Sequence, residues 1–159
     1  MAMKTIIIYA TKHGAAGEIA RRISEKIGNA VIHDLKQGAA PPSLADFDCV
    51  IVGSPVYAGM IRKEAKVFLS QNASALQGKC LGLFLSGLDA SSEETFFRSN
   101  FPADTLQSAK AAKFLGGIFD PQKTGWLERF IIKIATKQSA YSNTIDDAKI
   151  EQFAEAMRG

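Results

Sequence analysis

The residues best suited to chemistry run from Thr11 to Gly17: Thr11, Lys12, His13, Gly14, Ala15, Ala16 and Gly17. They are small, polar and glycine-containing, and they stand between two segments of different period. Before them, Ile6, Ile7 and Ile8 are consecutive and β-branched, as in a strand covered on both faces. After them, Ile19, Ala20, Ile23 and Ile27 fall at helical spacing. A helix start exposes unpaired N–H groups and the positive end of the helix dipole. The expected chemistry is therefore the holding of an anion, a phosphate above all.

Two further stretches have the same layout. The apolar run Asp48–Ser54 ends at glycine and is followed by Pro55, Val56, Tyr57, Ala58 and Gly59. The run Lys79–Gly87 ends in Ser86 and Gly87 and continues through Leu88 to Asp89. Both leave a strand through small residues, which allow a ligand close to the backbone.

The intervening elements supply the scaffold. A helix is expected from about Gly14 to Ile27, with Gly28-Asn29 as its stop, then a short strand at Ala30–Leu35. Pro41-Pro42 marks a loop, and a helix carries Ala65, Phe68 and Leu69 on one side. Another helix is expected from about Glu93, capped by Ser92 or Ser91, with Leu106–Ala109 continuing as helix. Lys113–Phe119 reads as the fifth strand, Trp126–Lys137 as a helix, and Asp146–Met157 as the last helix, with Thr144 its cap. Alternation of this kind predicts α/β architecture, a parallel sheet with helices on both faces. The second strand is the poorest in apolar residues and belongs at an edge, giving the order 2-1-3-4-5. In that order the ligand sits between strands one and three, where the three small-residue loops converge.

The totals exclude other classes. The chain has 159 residues, enough for one domain with a sizeable core. A net charge of +3, without a recognition motif, does not suggest nucleic acid. His13 and His33 are isolated, and Cys49 and Cys80 stand far apart within apolar runs, so neither a metal site nor a redox pair is expected. No secretion signal and no bilayer-length apolar run is visible, which predicts a cytoplasmic protein.

The topology and Thr11–Ala16 resemble the flavodoxin family, whose phosphate loop reads Ser/Thr-x-Thr-Gly-x-Thr. The stretch Gly53–Gly59 resembles the family's flavin-ring loop. The resemblance spans essentially the whole chain and implies a single three-layer flavodoxin-like domain holding FMN non-covalently. It implies cofactor contacts from Thr11, Lys12, His13, Gly14, Ala15, Ala16, Ser54, Pro55, Val56, Tyr57, Gly59, Ser86, Gly87 and Leu88. Thr11 and Gly14 match the loop pattern, while His13 and Ala16 stand where the family has hydroxyls. Phosphate binding then rests more on backbone N–H groups, the helix dipole and Lys12. Tyr57 is the aromatic placed to cover a ring face.

A narrower resemblance joins Phe119-Asp120-Pro121 and Trp126–Lys133 to menaquinone-dependent protoporphyrinogen oxidases. It implies oxidation of a porphyrinogen in haem synthesis and delivery of electrons to a quinone or a redox partner protein. Trp126, Leu127, Phe130, Ile131 and Ile134 form one apolar face of the expected helix, with Arg129, Lys133 and Lys137 in a basic stripe beside it. That face either packs on the sheet or approaches an anionic membrane, and Arg129 and Lys133 are the expected contacts for substrate propionates. The alternatives are a small FMN electron carrier without its own substrate, and a binding module with weak or no FMN affinity. The oligomeric state is not readable from these residues.

Overall fold

A computed structural model describes residues 3–37, 40–123, 125, 129, 133 and 140–159. Its centre is a parallel sheet. Strand β1 (Thr5–Tyr9) lies between β2 (Val31–Asp34) and β3 (Cys49–Tyr57). Beyond β3 come β5 (Cys80–Ser86) and β6 (Ala109–Phe114). Apart from a short additional strand, β4 (Met60–Ile61), which pairs antiparallel with β3, this is the expected order. The three inner strands β1, β3 and β5 are the most apolar: Ile6, Ile7, Ile8, Val50, Ile51, Val52, Leu83 and Phe84 are all buried. β2 is half exposed, as befits an edge.

Helices cover both faces. On one side α1 (Ala15–Ile27) and α6 (Asp147–Arg158) pack Ile19, Ile23, Ile150, Phe153 and Met157 against Ile7, Ile51 and Phe84. The other side carries α2 (Lys63–Gln71), α3 (Ala73–Leu76), α4 (Glu93–Asn100) and α5 (Ala103–Ser108). There Ala65, Phe68, Phe97 and Phe101 close over Ile6, Ile8, Val52, Leu83 and Leu85. Leu81, Leu83 and Leu85 share one core while Phe84 joins the other, the period-two alternation of a strand buried twice.

Four local expectations are corrected. β3 does not stop at Ser54 but runs through Tyr57 and folds back as β4, with Val56 opposite Ile61 and Tyr57 opposite Met60. The fifth parallel strand is Ala109–Phe114 and not Lys113–Phe119. It is an edge strand whose Lys110 and Lys113 face solvent, so its sequence lacks the apolar run of an inner strand. The chain leaves the sheet at Gly116, whose φ is +91°. Residues Ile118–Phe119 (β7) then pair with Ser142–Asn143 (β8) in a separate two-stranded ladder. The expected helix at 106–109 is the earlier α5, ending at Ser108. The last helix is capped by Asp146, which accepts from the Lys149 N–H at 3.1 Å, and not by Thr144. Most of the expected helix at 126–137 lies outside the described residues.

Sequence distance also hid a neighbour relation. Cys49 and Cys80 are register partners on β3 and β5. Both are free thiols, Cys49 buried and Cys80 partly exposed. Burial, and then the hydrogen bond with Cys80, push the Cys49 thiol up to about 12.

Candidate functional site

The carboxyl ends of β1, β3 and β5 open into one cleft of about 210 Å³. The first wall begins where β1 ends: the Ala10 N–H donates to the Gly53 carbonyl at 3.0 Å, tying the exit of β1 to β3. Thr11 Oγ1 then accepts from the Gly14 N–H at 2.9 Å and closes a tight turn. Gly14 sits at φ +96°, a conformation that costs an L side chain about 1–2 kcal/mol. From there α1 starts without a side-chain cap, so the first N–H groups of the helix have no intrahelical acceptor. Gly17 lets the helix lie on Tyr9: a Cβ there would sit 3.2 Å from the Tyr9 ring.

Acid in the first turn of a helix competes with a bound anion, and this chain has Glu18 there. Its carboxylate accepts from Arg21 Nη2 at 2.7 Å and from Arg22 Nε at 2.9 Å. The Arg21 hydrogen bond, aided by Arg22, holds the Glu18 carboxyl down at about 2. Arg22 also reaches Asp147 at 3.1 Å, and Lys26 pairs with Glu151 at 2.9 Å. The charge of Glu18 is thus turned sideways into an α1–α6 network and away from the loop.

The second wall is the β3–β4 hairpin. Its turn residues Ala58 and Gly59 have φ +51° and +78°, both positive as a tight two-residue hairpin requires. Lys12 Nζ stands 4.0 Å from the centroid of the Tyr57 ring, a cation–π contact linking the first wall to the second.

The third wall is Ser86–Asp89. The Gly87 N–H donates to the Gly116 carbonyl at 3.0 Å. Gly117 presses against it so closely that a Cβ would lie 2.7 Å from the Gly87 carbonyl oxygen. Thr144 holds Gly117 from outside, its Oγ1 accepting from the Gly117 N–H at 3.1 Å. Asp89 accepts from the Ser91 N–H at 3.1 Å and from the Ser92 hydroxyl at 3.0 Å. The Ser91 and Ser92 hydrogen bonds lower its pKa. Ser92 is the N-cap residue of α4, as expected, but its side chain makes no cap hydrogen bond, and Asp89 collects the turn that precedes it. Ser86 Oγ is buried with no hydrogen-bond partner among the described residues, a state that costs about 1–3 kcal/mol unless something satisfies it.

The structure brings together Thr11, Lys12, His13, Ala15, Pro55, Val56, Tyr57, Gly59, Ser86, Gly87 and Leu88, all lining the cleft. Three expected residues lie elsewhere. Gly14 shapes the turn. Ala16 is fully buried among Ile7, Ile19 and Ala20. The Ser54 hydroxyl accepts from the Arg62 N–H at 2.9 Å and donates to the Pro55 carbonyl at 2.9 Å, so it braces the hairpin. Arg129 and Lys133 are exposed and do not line the cleft.

Ala58 and Asp89 belong to the loops the sequence brings together, while Phe96, Gly117, Ile118 and Phe119, which complete the lining, were missed. The signal for the last three was present: Gly116-Gly117 is a fourth place where an apolar run leaves the sheet through glycine. With Phe96, Ile118 and Phe119 on one side and Tyr57 on another, the cleft suits a flat, largely apolar group. The α1 start beside Lys12 and His13 suits an anion attached to it. Among the described residues no helix is long and apolar enough to cross a membrane. The described residues also contain no group of three metal-ligating side chains.

The family model for a flavodoxin domain matches residues 6–146. No curated protein matches in sequence. Many solved structures are similar, three of them as follows. A short-chain flavodoxin associated with a non-canonical PDU bacterial microcompartment is 20% identical, with TM-score 0.61, over 98% of this chain and 97% of that one. A flavoprotein from Lactobacillus acidophilus NCFM in complex with FMN is 17% identical, with TM-score 0.57, over 71% of this chain and 93% of that one. The rubredoxin oxygen:oxidoreductase of Desulfovibrio gigas is 15% identical, with TM-score 0.58. It is matched over 98% of this chain, which spans only 35% of its length. At these identities the likeness is one of fold.

Proposed function

Since this chain belongs to the flavodoxin domain family, we propose that its cleft holds one FMN and that the protein is an electron-transfer flavoprotein. The observation that carries this reading is the span of the cleft, from the Thr11–Gly14 turn at the start of α1 to the Tyr57 ring. Those are the two chemistries a ring-bearing phosphate ester needs, placed at the strand ends where the topology reverses. The residues present fit such a group. Gly87 and Gly117 keep one wall down to bare backbone, Ser86 offers an unsatisfied hydroxyl in the lining, and the flavoprotein of similar fold is an FMN complex.

When bound, FMN would supply reversible electron transfer. The chain's own residues bind and orient it. Backbone N–H groups at the start of α1 and the Lys12 ammonium hold the phosphate. With Ala16 in the core and Thr11 Oγ1 accepting from Gly14, these groups do the work that side-chain hydroxyls do elsewhere in the family. Tyr57 covers one ring face, and Phe96, Ile118 and Phe119 exclude water from the apolar side. Because Lys12 lies on the Tyr57 ring, stacking on that face requires the ammonium to swing away.

FMN titration of the apoprotein, followed by quenching of flavin fluorescence, tests the reading. Saturable quenching at one equivalent supports it, and unchanged fluorescence at tens of micromolar ends it.

A second reading is a protoporphyrinogen oxidase that passes electrons to a quinone. It is favoured by the β7–β8 ladder, whose Ile118 and Phe119 line the cleft and from which residues 120–141 depart. Exposed Arg129 and Lys133 lie in that excursion, suited to propionates or an anionic lipid surface. Anaerobic oxidation of protoporphyrinogen IX with a menaquinone analogue tests it. Turnover that falls in Arg129→Ala/Lys133→Ala supports it, whereas none, with rapid electron exchange with a flavodoxin reductase, leaves the carrier.

A further inference from the structure

Among the described residues, Asn100, the last residue of α4, ties the turn of the hairpin that presents Tyr57 to that helix. Its Oδ1 accepts from the Ile61 N–H at 3.0 Å. Its Nδ2 donates to the Gly59 carbonyl at 3.0 Å and to the Phe96 carbonyl at 2.8 Å. The carboxamide orientation is dictated by its partners: one N–H must face the oxygen, and two carbonyls must face the NH₂. Reversed, the group would set an oxygen against two carbonyl oxygens.

The connected residues are those of the cleft. Gly59 and Phe96 both line it, Ile61 is the register partner of Val56, and Met60 is that of Tyr57. The turn between them is strained at Ala58, a non-glycine residue at φ +51°. Met60 at its end is largely exposed, so apolar packing at that position does little to hold the turn. A strained turn with little packing at its tip keeps its shape only if other interactions determine it.

We propose that Asn100 is the positioning residue for Tyr57: it clamps the β3–β4 turn to α4 and so holds two walls of the cleft at a fixed separation. The inference rests on the FMN reading only for its ligand arm. The clamp itself is testable in the free protein.

The test compares Asn100→Ala and Asn100→Asp with wild type. Asp is isosteric and keeps the acceptor for Ile61, but it turns an oxygen toward the Gly59 and Phe96 carbonyls. In the apoprotein, hydrogen exchange of the Ile61 amide should accelerate by up to about ten-fold in Asn100→Ala, which loses the acceptor, and in Asn100→Asp to the extent that the Gly59 and Phe96 carbonyls drive the carboxylate out of the clamp. Exchange in the β1 amides should not change. With FMN at saturation, flavin bound to either variant should be several-fold more fluorescent than in wild type, approaching Tyr57→Ala. A Tyr57 ring no longer held against the flavin would give that result, whereas loss of global stability alone would leave quenching in the saturated complex unchanged. Ile61 exchange and bound-state fluorescence at wild-type levels in both variants would overturn the clamp. If wild type binds no FMN, the functional reading fails, and the exchange arm alone still decides the role of Asn100.

Discussion

The Thr11–Gly14 and Tyr57 walls of the cleft are held by different forces. The Thr11–Gly14 wall is the end of a buried strand and the start of α1, whose Ala16, Ile19, Ala20 and Ile23 are fully buried. Ion pairs then cross from α1 to α6 at its rim. The Tyr57 wall joins the core through Ile61 and Val56, but its turn carries strain at Ala58 and is tied by hydrogen bonds to Ser54 and Asn100. Burial is non-directional and hard to dislodge, while a few hydrogen bonds set geometry at modest net energy. The Thr11–Gly14 wall is thus held by burial along with the rest of the domain, whereas the shape of the Tyr57 turn is set by a few directed contacts.

The comparison breaks most severely at Ile19. Ile19→Ala should cost about 2–5 kcal/mol in chemical denaturation, because a fully buried side chain leaves a cavity. An effect below 1 kcal/mol would mean that the first wall does not depend on burial. Tyr57→Ala should leave the denaturation midpoint nearly unchanged and weaken FMN about ten-fold, the scale of a lost aromatic contact. Equal loss of stability and affinity would instead put Tyr57 in the core. Ala58→Gly should stabilise the apoprotein by up to about 1 kcal/mol, since glycine accepts the positive φ without the Cβ penalty. A decrease in Tm would show the turn is not strained.

The smallest effect sharpens the contrast from the charged side. Glu18 is held at about 2, against an ordinary 4.5. A depressed carboxyl contributes stability that is full above its unfolded value and is lost as pH falls through the folded one. Wild-type stability should therefore decline between about pH 5 and pH 2, and Glu18→Gln should flatten part of that decline. The pairs are partly exposed, so the difference should stay below about 1 kcal/mol and shrink in salt. A salt-insensitive profile identical in both proteins would remove the network from the account.

Strand order and the meeting of three loops were legible because buried parallel strands are written as continuous apolar runs, such as Ile6–Ile8 and Val50–Val52. β6 was not, because an edge strand half in solvent reads Ala-Lys-Ala-Ala-Lys and resembles helix as much as strand. The hairpin was hidden for a different reason: Pro55 and Gly59 signal a loop, and only the pairing of Val56 with Ile61 reveals a strand. Asn100 could not be read at all. Its role depends on partners 39 and 41 positions away, and a lone asparagine at a helix end carries no such information. The bracing role of Ser54 was hidden for a related reason, since its place beside the loop did not reveal that its hydroxyl bonds Arg62 and Pro55.

The β7–β8 ladder has a bearing on how such a domain can be altered. By pairing Ile118–Phe119 with Ser142–Asn143 it brings the two ends of residues 120–141 together at the base. Gly117 and Thr144 fasten that base to the sheet. Once the ends are joined, lengthening the stretch between them adds only a slowly growing closure entropy. The ladder therefore carries the entropic cost of closing that stretch once, largely independent of its length.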